Sequence, residues 1–155
     1  MRCIALLVLI AGAVWSQKYA GPRPAKSDLP YLKHAENLIP LETGEAKEDK
    51  GKKEEIIYVI EGAASTTKTP LASPIFLFLS DKMNPESLQL FKLETRSGRR
   101  ELSVSPKKPG KPIRVTVTKL SGDGLYRIEV GDSLEAGEYS LSPSDSNRVF
   151  CFQVF

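Results

Sequence analysis

From Ile56 onward the chain is cut into short runs of alternating apolar and polar residues, each ended by a turn signal. That rhythm constrains the fold more than any other feature. IIYVIEG is followed by the loop AASTTKTPLASP and then IFLFL; NPES separates this from LQLFKLET, and Ser97-Gly98 turns the chain into RRELSV. PKKPGKP leads to IRVTVTKL, Gly122-Asp123-Gly124 to LYRIEV, and the last two runs are GEYSLSP and RVFCFQVF. Period-two alternation over four to eight residues places every second side chain on one face of a strand. Ile113, Val115 and Val117 share a face, as do Tyr126, Ile128 and Val130, and Phe150, Phe152 and Val154. Eight such runs and no long helical stretch predict an all-β, antiparallel sandwich of 7–8 strands over residues 56–155, with Phe76, Phe78, Phe150 and Phe152 in its core.

One run breaks the alternation. In LQLFKLE, Leu88 and Leu90 fall on one face while Phe91 and Leu93 fall on the other. A strand buried on both faces, or a bulge that resets its register, satisfies this pattern, and a central place in the sheet is the preferred reading.

The preceding residues read differently. Residues 1–16 carry Arg2, an unbroken apolar run from Ile4 to Ala11, and Val14 and Ser16 placed for cleavage before Gln17. This is the pattern of a secretory signal peptide, and the run is shorter than the ~20 residues needed to cross a bilayer. The expectation is an exported chain, periplasmic or extracellular, with no transmembrane segment after signal cleavage. Cleavage would leave one cysteine, Cys151, and no tryptophan, so no internal disulfide can form. Cys151 reads as a half-buried strand thiol.

Residues 17–55 combine the proline-containing GPRPAKSDLP with the mixed-charge ETGEAKEDKGKKEE. Such composition predicts a largely unstructured linker. Within it, Tyr31, Leu32, Ala35 and Leu38 form an apolar island, and residues 28–41 suit either a helical turn or an extended segment docked on the sandwich or on a partner. On this reading, deletion of residues 17–55 leaves folding intact.

SLEAGEYSL resembles the tyrosine corner of immunoglobulin-like and fibronectin-like sandwiches, with Leu134, Gly137 and Tyr139 just ahead of a strand. The resemblance implies that the Tyr139 hydroxyl bonds back to the backbone and pins a crossover between sheets. The paired cysteines and the tryptophan of antibody domains are absent from the run Ile56–Phe155. As a whole the chain is similar to small exported bacterial proteins that end in a GEY turn and a Phe-rich strand, a resemblance that implies export but no mechanism.

Little in the sequence points to catalysis. The single histidine, His34, lies outside the strand region, and Cys151 has no local base beside it. Asp123, Glu129, Asp132, Glu135 and Glu138 read as turn and outward strand positions. One cysteine and one histidine cannot make a zinc site, and neither Gly122-Asp123-Gly124 nor Gly131-Asp132-Ser133 has the length of a calcium loop. The chain is therefore read as no enzyme, with no catalytic, cofactor-binding or metal site and no cofactor.

Charge is unevenly spread. Glu86 to Arg114 holds eight basic side chains against three acidic; Gly122 to Asp145 holds six acidic against Arg127. The basic turns SGRR and PKKPGKP sit at opposite ends of one strand, about 20 Å apart, which argues against a nucleic-acid groove. Cross-strand charge pairing is the simpler account of the asymmetry. The expected role is a non-enzymatic interaction or structural module of the bacterial cell envelope, its partner another envelope protein or a glycan. A carbohydrate-binding sandwich is the alternative.

Overall fold

The computed structural model describes residues 18–155; the signal peptide read over residues 1–16 lies outside the described residues. All eight expected runs are strands. In chain order the described residues form β1 (Pro30–His34), β2 (Asn37–Pro40), β3 (Glu42–Glu45), β4 (Lys47–Lys50), β5 (Ile56–Ile60), β6 (Lys68–Thr69), β7 (Ile75–Leu79), β8 (Leu88–Arg96), β9 (Arg99–Val104), β10 (Val115–Ser121), β11 (Leu125–Val130), β12 (Gly137–Pro143) and β13 (Arg148–Val154). A single 3-10 turn, Pro85–Ser87, is the one helical element among them.

Two sheets pack face to face. The smaller runs β10-β11-β7-β1-β2, and the larger runs β3-β13-β12-β8-β9-β5-β4 with β6 added in parallel to β13. Every other pairing is antiparallel. Between the sheets, Leu32, Phe76, Phe78 and Ile128 meet Leu88, Leu90, Tyr139, Leu141, Phe150, Phe152 and Val154. The four phenylalanines expected in the core are at most 1% exposed. Phe152 stacks on Tyr139 and tilts against Phe76, with ring centroids 5.5 and 5.1 Å away, the separations at which aromatic pairs attract.

The described part of that segment, residues 18–55, is not an unstructured linker. Residues 30–50 supply four strands: β1 and β2 form a hairpin that joins the smaller sheet through β7, with Leu32 opposite Phe76. Residues 28–41 are thus extended and docked on the chain's own sheet. Tyr31, Leu32 and Leu41 are buried, enough apolar surface to order a segment whose remaining composition is polar. The strand count accordingly exceeds the expected 7–8.

β3 and β4 lie at opposite ends of the larger sheet, yet only Ala46 separates them in the chain. β3 pairs β13, β4 pairs β5, and the Ala46 N–H donates to the Asn147 carbonyl at 2.8 Å. A sheet whose two edges are one continuous segment is closed. The larger sheet is therefore a small barrel, and closure removes the free edges that open sheets must protect.

Closure also explains the broken alternation in LQLFKLE. β8 runs without a bulge between β12 and β9. Leu88 and Leu90 point out of the barrel into the space between sheets; Phe91 and Leu93 point into its lumen. The register irregularity among these strands falls instead between Lys119 and Ser121 of β10.

Candidate functional site

The barrel lumen is filled in layers along its length. Register assigns its lining: Glu42, Gly44 and Ala46 on the closing segment, Tyr58 and Ile60 on β5, Phe91 and Leu93 on β8, Arg100 and Leu102 on β9, Glu138, Ser140 and Ser142 on β12, and Val149 and Cys151 on β13.

One end is sealed by ions. Arg100 is 1% exposed and donates from Nε to the Gly62 carbonyl (2.9 Å), from Nη1 to Ser65 Oγ (2.8 Å), and from Nη2 to Glu42 Oε1 (2.7 Å) and the Glu61 carbonyl (2.6 Å). Ser65 in turn donates through its N–H and Oγ to Glu138 Oε2, at 3.0 and 2.8 Å, while Thr66 N–H donates to Glu42 Oε2 at 2.7 Å. A buried guanidinium persists only when its fork of donors is satisfied, as it is here. Glu138, expected at an outward strand position, is 5% exposed inside this cluster, and its Oε1 has no hydrogen-bond partner. Nothing in the local sequence of β12 announces this; the signal is Arg100, a charge at an inward β9 position that needs an anion opposite.

The middle layer is apolar: Ala46, Ile60, Leu93, Val149 and Cys151. Cys151 is fully buried rather than half-buried, and burial pushes its thiol up to about 12. A thiol so far from ionisation is a poor nucleophile.

The other end opens into a cavity of about 290 Å³, close to the lower bound for small-molecule sites. Its walls differ. Tyr58, Phe91, Leu102 and Val104 make one side, where Gly110 of the loop 105–112 rests on them; a Cβ on Gly110 would meet Val104 Cγ2 at 2.9 Å. Gln89, Ser142, Ser144, Ser146 and Asn147 make the other. Arg148 is the one charged residue in the lining. Register pairs it with Glu45 and gives it the parity of Phe150, so its side chain lies on the outer face of β13. A second hollow, edged by Lys47, Asp49, Glu61 and Arg99, is an exposed charged surface in which Lys47 already pairs with Glu61 at 2.8 Å.

The remaining sequence candidates are dispersed. His34 is exposed at the end of β1, opposite Asn37. Asp123 is exposed in the β10–β11 turn, where it pairs with Arg23 and accepts from Ser121 Oγ. Glu135 pairs with Lys92 at 2.7 Å, joining the basic stretch to the acidic one, and Glu129 lies 3.4 Å from Arg127. Other basic residues pair within their own stretch, as Arg99 does with Glu101 at 3.2 Å and Lys108 with Glu94 at 3.5 Å. Among the described residues no group of three His, Cys, Asp or Glu side chains is placed to hold a metal ion, and no helix is long and apolar enough to cross a membrane.

The tyrosine corner geometry is present: Tyr139 is 1% exposed, its ring lies in the core, and its hydroxyl donates to the Glu135 carbonyl at 2.7 Å. Comparison with family models, with curated proteins and with solved structures found no match to this chain.

Proposed function

We propose that this chain is an exported, non-enzymatic binding module of the bacterial cell envelope, and that the open end of its barrel lumen is where it binds. The observation that carries this reading is the cavity beside Phe91: a concave site with one apolar wall and one wall of neutral hydrogen-bonding groups, the make-up of a ligand pocket. General acid–base chemistry draws most often on a histidine or a carboxylate, and the cavity lining holds neither; its one phenol is Tyr58. The export signal read over residues 1–16 supports the envelope location.

The apolar island Tyr31 to Leu41, which the sequence offered as a docking peptide, is occupied by the chain's own sheets. Binding therefore rests on the lumen and not on the N-terminal segment. The same reading keeps the chain with immunoglobulin-like sandwiches on the strength of the Tyr139–Glu135 hydrogen bond, while the closed larger sheet departs from the open sheets of that class.

A fragment screen followed by amide chemical shifts on the full chain tests this. Fragments that bind should move the amides of Phe91, Leu102, Ser142 and Asn147 together. If fragments perturb only the outer faces of the sheets, the lumen is not the binding site.

A further inference from the structure

Resting on the lumen as the binding site, we infer that its ligand is a single uncharged sugar ring, a hexose unit presented free or at the end of a glycan. Arg148 is the one charged residue of the cavity lining and its side chain is turned outward, Arg100, Glu42 and Glu138 are bonded at the sealed end, and Glu48, opposite Tyr58 on β4, is exposed and outside the lining. A charged ligand would enter without a counter-charge and lose its hydration uncompensated.

The two walls then narrow the chemistry. Gln89, Ser142 and Asn147 each both donate and accept hydrogen bonds, and all three line the cavity, Gln89 opposite Ser142 in the β8–β12 register. A purely apolar chain would cover them and leave hydroxyl and amide groups without partners, at a cost of roughly 1–3 kcal/mol each. Phe91, with Leu102 and Tyr58 on the strands beyond it, presents aromatic and aliphatic surface. A pyranose has this division built in: its hydroxyls donate and accept around the rim, and its axial C–H groups make an apolar face that stacks on aromatic rings. Size agrees. A cavity of about 290 Å³ sits at the small end of ligand sites, the scale of one ring with its substituents.

Saturation-transfer NMR and amide shift titration of the full chain against methyl glucoside, methyl galactoside, methyl mannoside and methyl N-acetylglucosaminide provide the test, with cyclohexanol and decanoate as comparators. At least one glycoside should bind saturably and move the amides of Phe91 and Asn147. Asn147→Ala should weaken it about fivefold, the scale of one hydrogen bond; if that variant fails to fold, Ser142→Ala replaces it. Thr116→Ala, at an exposed position of β10, should leave binding unchanged. A tetrasaccharide that binds as well as its methyl glycoside assigns the glycan end, and one that is excluded assigns the free sugar. If all glycosides are silent while cyclohexanol or decanoate moves the lumen amides, the sugar inference is overturned and the lumen remains the site. If every probe is silent there, the inference and the binding reading fall together.

Discussion

Arg100 Nη2 lies 2.7 Å from Glu42 Oε1 at the sealed end of the barrel, joining β9 to the closing segment on the far side of the lumen. This contact holds together strands that are not neighbours in the sheet. It also fixes the loop 61–66, since the same guanidinium holds the Gly62 and Glu61 carbonyls and Ser65.

Removing one partner of a buried ion pair leaves the others uncompensated. Arg100→Ala strands Glu42 and Glu138, so it should cost about 3–5 kcal/mol in urea unfolding. Arg100→Lys restores the charge but not the fork of donors, and should recover only part of the loss. A loss below ~1 kcal/mol for the alanine variant would show that the cluster is solvated and idle.

The N-terminal strands are expected to be indispensable. Leu32 is 1% exposed between the sheets, and Leu32→Ala should lower stability by about 2–5 kcal/mol. Deletion of residues 17–55 removes β1 to β4 and opens the barrel, so the product should lack cooperative thermal unfolding. A shortened chain with a sharp transition near that of the full chain would contradict this.

Asp28 predicts an acid limb. Burial raises its carboxyl pKa, but the N–H groups of Asp81, Met83 and Lys82, bonded to it at 2.9–3.1 Å, outweigh this and hold it below its ordinary 3.8. A depressed carboxyl pKa contributes stability that is present above the unfolded value and is lost as pH falls through the folded one. Asp28→Asn should therefore be destabilised by roughly 1–2 kcal/mol at neutral pH, with the gap to the unmodified chain closing below about pH 4. A constant gap across that range would assign the effect to packing.

In a Cys3→Ser chain, whose one cysteine is Cys151, that residue provides a reporter of unfolding. With its side chain fully buried and its thiol at about 12, it should resist an aromatic disulfide reagent at neutral pH. Its labelling rate should then follow the population of unfolded chain as urea is raised. Fast labelling without denaturant would place the thiol at the surface.

The strand region was legible because each run carries its own alternation. Phe150, Phe152 and Val154 declare one face, and the shifted Leu88-Leu90 and Phe91-Leu93 pairs of β8 declare two. The closing segment was not legible. Its inward positions are Glu42, Gly44 and Ala46, a charge and two small residues, while Thr43, Glu45 and Lys47 face water. No hydrophobic contrast separates the two faces, because Glu42 is balanced by an arginine far along the chain and the small residues fit a narrow lumen. β-propensity reports fit to neighbours more than backbone preference, and those neighbours are remote in sequence. The cavity was hidden for the same reason: its apolar wall comes from β5, β8 and β9 and its polar wall from β8 and the β12–β13 hairpin.

The pairing of Glu42 with Cys151 sets an order of events in the cell. Strands made early wait for one made late, so the barrel has no complete subset to form while the polypeptide is still emerging. Folding dominated by such distant pairings is slow.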